Sequence, residues 1–276
     1  MSKDLRSATE LRQHYEVERE LADRLRHASK EARRQLYTAV YEELFARVPH
    51  HTQLRRRHAT EETRIVVLQQ MAFLMQFLDP AAVFLEIGAG DCALSSAVAP
   101  LVKRVYALDV SPTITQGTMP PASLEVVLSD GISLPFPNAS VDVAYSNQLM
   151  EHLHPDDALE QLQNLYRVLK PGGRYVCITP HRLSGPHDIS RHFDPVATGF
   201  HLREYTPAEL GRLLRLAGFK KVRNYLGGRG HYLALPPTLL SLIELPFALL
   251  PRAARVPIGL RSPLGFLRAI RIVGTK

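Results

Sequence analysis

The chain has 276 residues, 45% hydrophobic and 22% charged, enough to bury one substantial core with a small lid added. Two cysteines exclude a disulfide framework, and the opening Met1-Ser2-Lys3-Asp4-Leu5-Arg6 carries no apolar run, so a reduced cytoplasmic compartment and no signal peptide are expected. The net charge of +7 hides an asymmetry: residues 203–276 hold thirteen Lys/Arg against three Asp/Glu, whereas residues 65–202 hold seven against thirteen.

The first sixty residues read as helical. Leu36, Val40, Tyr41, Leu44, Phe45 and Val48 recur at three- and four-residue steps, and Leu11, Tyr15, Leu21 and Leu25 form a weaker series. Two helices joined near residues 28–30 are expected. Arg55-Arg56-Arg57-His58 is too short a basic run to define a nucleic-acid footprint and reads as a solvated loop. Thr60, Glu61 and Glu62 then signal a third helix, apolar from 66 to 78, stopped by Asp79-Pro80 and expected to pack beside the first strand.

Residues 83–91, Val-Phe-Leu-Glu-Ile-Gly-Ala-Gly-Asp, are an apolar strand pattern running into a glycine turn, followed by an amphipathic stretch over 93–101. Such a turn presents backbone N–H groups to a ligand at the carboxyl end of a strand. Gly88, Gly90 and Ala93 fit the dinucleotide fingerprint, and Asp109 ends the next apolar strand at nearly the spacing of a ribose-binding carboxylate. Glu86, however, would put a carboxylate beside pyrophosphate. It suits a cation better, and S-adenosylmethionine offers a sulfonium and an ammonium with no phosphate. A plain strand-to-helix turn is the remaining reading.

Three further segments follow in order: 128–136 (Leu-Ser-Asp-Gly-Ile-Ser-Leu-Pro-Phe), 140–153 (through Asn147-Gln148-Leu149-Met150-Glu151-His152-Leu153) and 165–173 (ending Lys170-Pro171-Gly172-Gly173). With these, residues 83–219 resemble the class I S-adenosylmethionine-dependent methyltransferases, in the large group that modifies mostly small molecules. One departure is Cys92, where family members often carry a third glycine. The resemblance implies a doubly wound, Rossmann-like α/β fold whose seven-stranded sheet is mostly parallel. A helical extension over 1–60, acting as a lid or dimer contact, would precede a methyltransferase domain over 61–276 that carries an apolar insertion at 227–264. It implies Glu86, Gly88 and Gly90 at the methionine end of the cofactor, Asp109 on both ribose hydroxyls, and Asp130 with Gly131 at the adenine. Asn147 and Gln148 would border the methyl-transfer space. Each assignment has a plain alternative: a strand-ending carboxylate for Asp109, a tight turn for Asp130-Gly131, loop capping for Asn147.

Beyond the strand 173–180 runs a histidine-rich connection with His181, His187, His192 and His201 interspersed by Asp188 and Asp194. Loops past the carboxyl ends of parallel strands build the site. The histidine spacings match no closed tetrahedral pattern, so no metal is expected. Methyl transfer is an in-line displacement that needs alignment more than acid–base chemistry. For a hydroxyl acceptor a histidine base helps, with His201 first, then His181, then His152, which equally serves to shape its loop.

Thr206-Pro207-Ala208-Glu209 opens a helix through 217, Gly218-Phe219 ends it, a strand follows at 221–223, and a last strand is expected over 266–273. Between them, residues 232–251 are almost wholly apolar, with Glu244 their one charge and prolines at 236, 237, 246 and 251, too interrupted to span a bilayer. Leu239, Leu242, Ile243 and Phe247 share one helical face, which packs on the core, roofs an apolar pocket or lies in a membrane interface. Arg252, Arg255, Arg261, Arg268 and Arg271 would suit peripheral contact of residues 232–271 with anionic lipid at the inner membrane face. The expected activity is O-methylation of a small apolar or amphipathic acceptor. An RNA methyltransferase is disfavoured because the chain has no Trp and no stacking platform. A non-catalytic cofactor-binding subunit is the other alternative.

Overall fold

The protein is described from a computed structural model over residues 6–56, 61–115, 120–228, 230–261 and 267–276. The side chains of the basic run 55–58, Thr60, Arg261 and Phe266 lie outside the described residues. Ser7 opens helix α1 (Ala8–His27) with a capping box to Glu10, and Ser29 caps α2 (Lys30–Arg47), so the two helices meet where the sequence places their joint. A short α3 (Thr52–Arg56) and α4 (Glu61–Leu74) follow, the latter tightening into a 3-10 turn through Phe77.

The sheet comprises β1 (Val83–Ile87), β2 (Arg104–Asp109), β3 (Leu124–Leu128), β4 (Val141–Asn147), β5 (Leu169–Pro180), β6 (Lys221–Gly228), β7 (His231–Leu235) and β8 (Ala269–Thr275), in the spatial order β3-β2-β1-β4-β5-β8-β6-β7. The first five are parallel, β8 runs antiparallel between β5 and β6, and β7 pairs antiparallel with β6 at the edge. The described sheet therefore has eight strands where seven are expected. Part of the apolar insertion folds back as β7. Gly227 (φ +133°) and Gly230 (φ +86°) permit that hairpin, and a Cβ on Gly227 would fall 2.1 Å from the His231 carbonyl oxygen.

Helices α5 (Ala93–Val98), α6 (Pro112–Thr115), α7 (Pro155–Val168), α8 (Pro207–Leu216), α9 (Pro237–Ala248) and α10 (Arg252–Arg261) complete the chain. Strand alternation sorts the core into two layers. Leu85, Ile87, Leu108, Ala144, Tyr175, Cys177 and Ile272 meet side chains of α1, α2, α7 and α8. Their neighbours Phe84, Ala107, Val143, Tyr145, Val176 and Val273 meet the end of α4 and α5 on the opposite face. The amino-terminal helices are thus part of the main core, and a buried bidentate pair between Arg33 and Asp157 (2.6 and 2.8 Å) joins α2 to α7.

Two elements depart from expectation. In α4 only Phe73 and Leu74 are buried, Val67 and Met71 are half-buried against the same core, and Ile65, Val66 and Leu68 are exposed, so the helix packs by a narrow stripe and its carboxyl-terminal end. Helix α9 is inverted: Glu244 is 4% exposed, whereas Leu242 is 67% and Leu249, just past the helix, 78% exposed. The cause is a buried partner for the carboxylate. Glu244 accepts from His181 Nε2 at 2.9 Å, which turns Leu239, Leu242 and Ile243 outward. Among the described residues no helix is long and apolar enough to cross a membrane.

Candidate functional site

The carboxyl ends of β1, β2, β4 and β5 come into register around the glycine turn, because Glu86 pairs with Ala107 and Tyr145 while Asn147 pairs with Ile178. Gly88 (φ +73°) and Gly90 (φ +54°) hold the turn in the left-handed region. Leu149 closes on it: a Cβ at Gly88 would lie 3.2 Å from its Cδ1. Cys92 takes φ +58° as well, fully buried, a conformation that suits the glycine which the family resemblance leads one to expect at this place. It substitutes for glycine at a cost in strain.

Glu86 is buried beneath this turn and accepts from Ser95 Oγ at 2.6 Å. Burial, with Asp91 and Asp109 adding negative charge, pushes its carboxyl up to about 8. Such a group takes a proton in isolation and ionises when a cation arrives. Asp109 accepts three backbone N–H bonds, from Gly90 (2.8 Å), Val110 (2.8 Å) and Ser111 (3.0 Å), so it fastens the turn to β2. Burial nevertheless raises its pKa above the ordinary carboxylate value.

Asp130 is held more tightly. Its carboxylate accepts from Ile132 N (2.9 Å), Ser133 N (2.6 Å), Ser133 Oγ (2.8 Å) and Arg34 of α2 (2.6 Å). Burial opposes ionisation there, and these donors outweigh it, leaving the pKa low. Helix α2 roofs this region: Tyr37 lies 3.4 Å from where a Gly131 Cβ would be, and Glu42 accepts from Ser111 Oγ at 2.5 Å. Residues Tyr37 and Glu42, which sequence reasoning assigned only to a helix, therefore cover the turns that follow β3 and β2.

A second, buried polar cluster lies between α1, α2 and the 181–205 connection. Glu151 and His152 sit on a 3-10 turn after β4, and His201 reaches them so that the two imidazole rings are 4.9 Å apart at 85°. Glu151 is fully buried; one oxygen accepts from Thr179 Oγ1 at 2.9 Å and the other has no partner. Burial raises it to about 7. Burial lowers His152 to about 3. For His201 burial opposes charge, but Glu204 (2.8 Å from Nδ1), Glu151 and Asp188 overcome it and raise the imidazole to about 9. Tyr41 of α2 meets His152 edge-on and Phe200 at a tilt, and Glu18 of α1 accepts from Phe200 N at 3.3 Å.

Of the three histidines favoured from sequence, His152 and His201 share this cluster. His181 has both ring nitrogens committed, Nε2 to Glu244 and Nδ1 to Leu183 N (3.1 Å), and it anchors α9. Asn147 is half-buried at the end of β4. Sequence reasoning missed Glu204, Glu18, His14 and His51. The four-residue spacing of His14 and Glu18 on one helical face is the only signal that pointed to any of them.

Residues 85–177 match the model of the methyltransferase domain family. A Mycolicibacterium smegmatis protein named "Probable S-adenosylmethionine-dependent methyltransferase" is 34% identical over 144 residues, 52% of this chain and 53% of that one. An O-methyltransferase of Aspergillus sclerotiorum is 33% identical over 101 residues, 33% of this chain and 34% of its own. The chain spans about half the length of the first of these curated relatives. Among solved structures, an S-adenosylmethionine-dependent methyltransferase from Archaeoglobus fulgidus shares the fold at TM-score 0.55 and 18% identity, covering 78% of this chain and 94% of that one. A Haemonchus contortus phosphoethanolamine N-methyltransferase bound to S-adenosylhomocysteine does so at TM-score 0.60 and 15% identity, over 90% of this chain and 50% of that one. The glycine turn and the acidic strand ends fall within or beside the matched segment, so residues 85–177 are similar to the methyltransferase domain of S-adenosylmethionine-dependent methyltransferases, and the mostly parallel α/β sheet is the fold shared with the solved structures.

Proposed function

We propose that the protein transfers the methyl group of S-adenosylmethionine to a hydroxyl oxygen of a small apolar or amphipathic acceptor. In this reading Glu86 pairs with the cofactor's ammonium, the Gly88–Gly90 turn lies along its methionine end, and Asp109 takes the ribose hydroxyls. Asp130 and Gly131 shape the adenine end, with Arg34 already holding the aspartate in place. Asn147 borders the reacting methyl. The observation that carries the oxygen acceptor is the buried Glu151–His152–His201 cluster with its unpartnered carboxylate oxygen, a polar site that suits a hydroxyl able to lose its proton. The Aspergillus relative's name, O-methyltransferase, supports the same choice of atom. Helices α1 and α2 serve as the cover that keeps water from the sulfonium. Incubating the purified protein with methyl-labelled cofactor and a panel of hydroxylated apolar metabolites tests this; label in an ether or ester product is expected, and label in RNA alone would replace it with the nucleic-acid reading.

A second component concerns location. Leu239, Leu242, Ile243, Leu245 and Leu249 form an exposed apolar row, and Arg252 and Arg255 follow directly on α10. That combination supports seating of α9 in an anionic membrane surface, where an amphipathic acceptor would also reside.

A further inference from the structure

We propose that Glu151, His152 and His201 bind a divalent first-row transition-metal ion, with open coordination positions facing the acceptor. One potential ligand atom from each lies within 4.8 Å of the other two. Their hydrogen bonds already fix them for that task. His152 Nδ1 is 3.0 Å from the Phe200 carbonyl oxygen, which only accepts, so Nδ1 carries the proton and Nε2 presents a lone pair. His201 Nδ1 likewise donates to the Glu204 carboxylate at 2.8 Å, leaving Nε2 as the ligand atom. An imidazole whose outer N–H is held by a carbonyl or carboxylate is the usual support of a metal-bound histidine. Glu151 contributes the third ligand. It is fully buried and its Oε1 has no hydrogen-bond partner, while Thr179 steadies the other oxygen. Leaving a buried carboxylate oxygen bare is costly, and a metal ion would satisfy it.

A second trio shows why this one is chosen. His14, Glu18 and His51 also bring ligand atoms within 4.8 Å. There His14 Nδ1 accepts from Arg6 at 2.5 Å, its Nε2 donates to Glu18 at 3.1 Å, and His51 Nδ1 accepts from Gln53 N at 3.3 Å. Those groups satisfy one another, and an arginine sits where a cation would be repelled.

Two imidazoles and one carboxylate leave coordination positions open, as sites that act on substrate do. This inference rests on the O-methylation reading above, and gives the metal the task of binding the acceptor hydroxyl and lowering its pKa. The hydroxyl proton leaves to solvent, the metal-bound oxygen forms the new O–CH3 bond, and the S–CH3 bond breaks with its electron pair returning to sulfur. The product cofactor is the neutral thioether S-adenosylhomocysteine.

The full chain, freed of metal by chelator and dialysed, is titrated with Co2+, Zn2+ and Mn2+, following bound metal by elemental analysis and Co2+ by visible absorption. One equivalent is expected, weakened about tenfold or more by Glu151→Gln and by His201→Ala, and retained by His51→Ala. Circular dichroism and cofactor titration of each variant confirm folding, and Glu151→Gln, nearly isosteric, keeps the comparison valid if His201→Ala unfolds. Absence of stoichiometric binding by the wild type overturns the proposal, as does binding that survives Glu151→Gln but not His51→Ala. Methyl transfer to a hydroxylated acceptor by protein that binds no metal would leave the methyltransferase reading standing and remove the metal. Stoichiometric metal without transfer to any such acceptor would support the site and remove the oxygen acceptor.

Discussion

Replacing Glu86 with Gln separates the electrostatics of the cofactor cradle from its shape. The amide is nearly isosteric and still accepts from Ser95 Oγ, so the packing under the turn is conserved. In the free protein the Glu86 carboxyl titrates near 8 because it is buried, against an ordinary value of 4.5. A raised acidic pKa means that the native state keeps a proton the unfolded chain has released. Native stability therefore falls as pH climbs from 4.5 to about 8, by about 1.4 kcal/mol per pH unit, on the order of 4–5 kcal/mol across the window. The Gln variant lacks this loss. Its stability minus that of the wild type should be near its minimum at pH 4.5 and grow through pH 8 in urea titrations of cofactor-free protein. At pH 7 only about one wild-type molecule in ten carries the charge. Binding a cationic cofactor must ionise the rest, so calorimetry in buffers of different ionisation enthalpy should show close to one proton released per cofactor at pH 7, and far less at pH 9. The variant should release none from this position and bind about 10–100-fold more weakly, as expected for a lost charge-assisted hydrogen bond. A stability difference independent of pH, or cofactor affinity unchanged by the substitution, would refute the assignment.

Asp109→Ala removes the acceptor of three turn N–H groups, and is expected to cost about 1–3 kcal/mol in thermal or urea unfolding as well as to abolish measurable cofactor binding. Normal binding by a folded variant would return Asp109 to a purely structural role. Cys92→Gly relieves left-handed strain but empties a buried volume, so its stability should stay within about 1 kcal/mol of wild type, while Cys92→Val, β-branched at positive φ, should lose about 2 kcal/mol or more. Equal melting temperatures for the two would contradict the glycine-surrogate account. Leu242→Asp with Leu249→Asp should abolish flotation on anionic vesicles with no loss of stability, because both side chains are exposed; undiminished flotation would place the lipid contact elsewhere.

Local patterns made much of this fold legible. The strand–turn–helix at residues 83–98, the carboxylate ending β2 and the Thr206–Glu209 capping box each depend on neighbours within a few positions, and each forms as its residues dictate. What stayed hidden depends on distant partners. Leu239, Leu242 and Ile243 of α9 share a face whose direction periodicity leaves open; His181, 63 positions earlier, claims Glu244 and turns that face outward. The cradle's roof is similar: nothing in the periodicity of residues 36–48 indicates that Tyr37 will cover Gly131 or that Glu42 will hold Ser111. The histidine-rich connection showed its chemistry by composition alone. Which imidazoles converge was settled by the turn after β4, which carries Glu151 and His152 to His201.

Calorimetric titration of the purified protein with S-adenosylmethionine, and in parallel with a nicotinamide dinucleotide, bears most directly on the acidic cradle. Saturable binding of S-adenosylmethionine at one per chain, with no heat from the dinucleotide, is the expected result. Binding of the dinucleotide by a protein that ignores S-adenosylmethionine would contradict it.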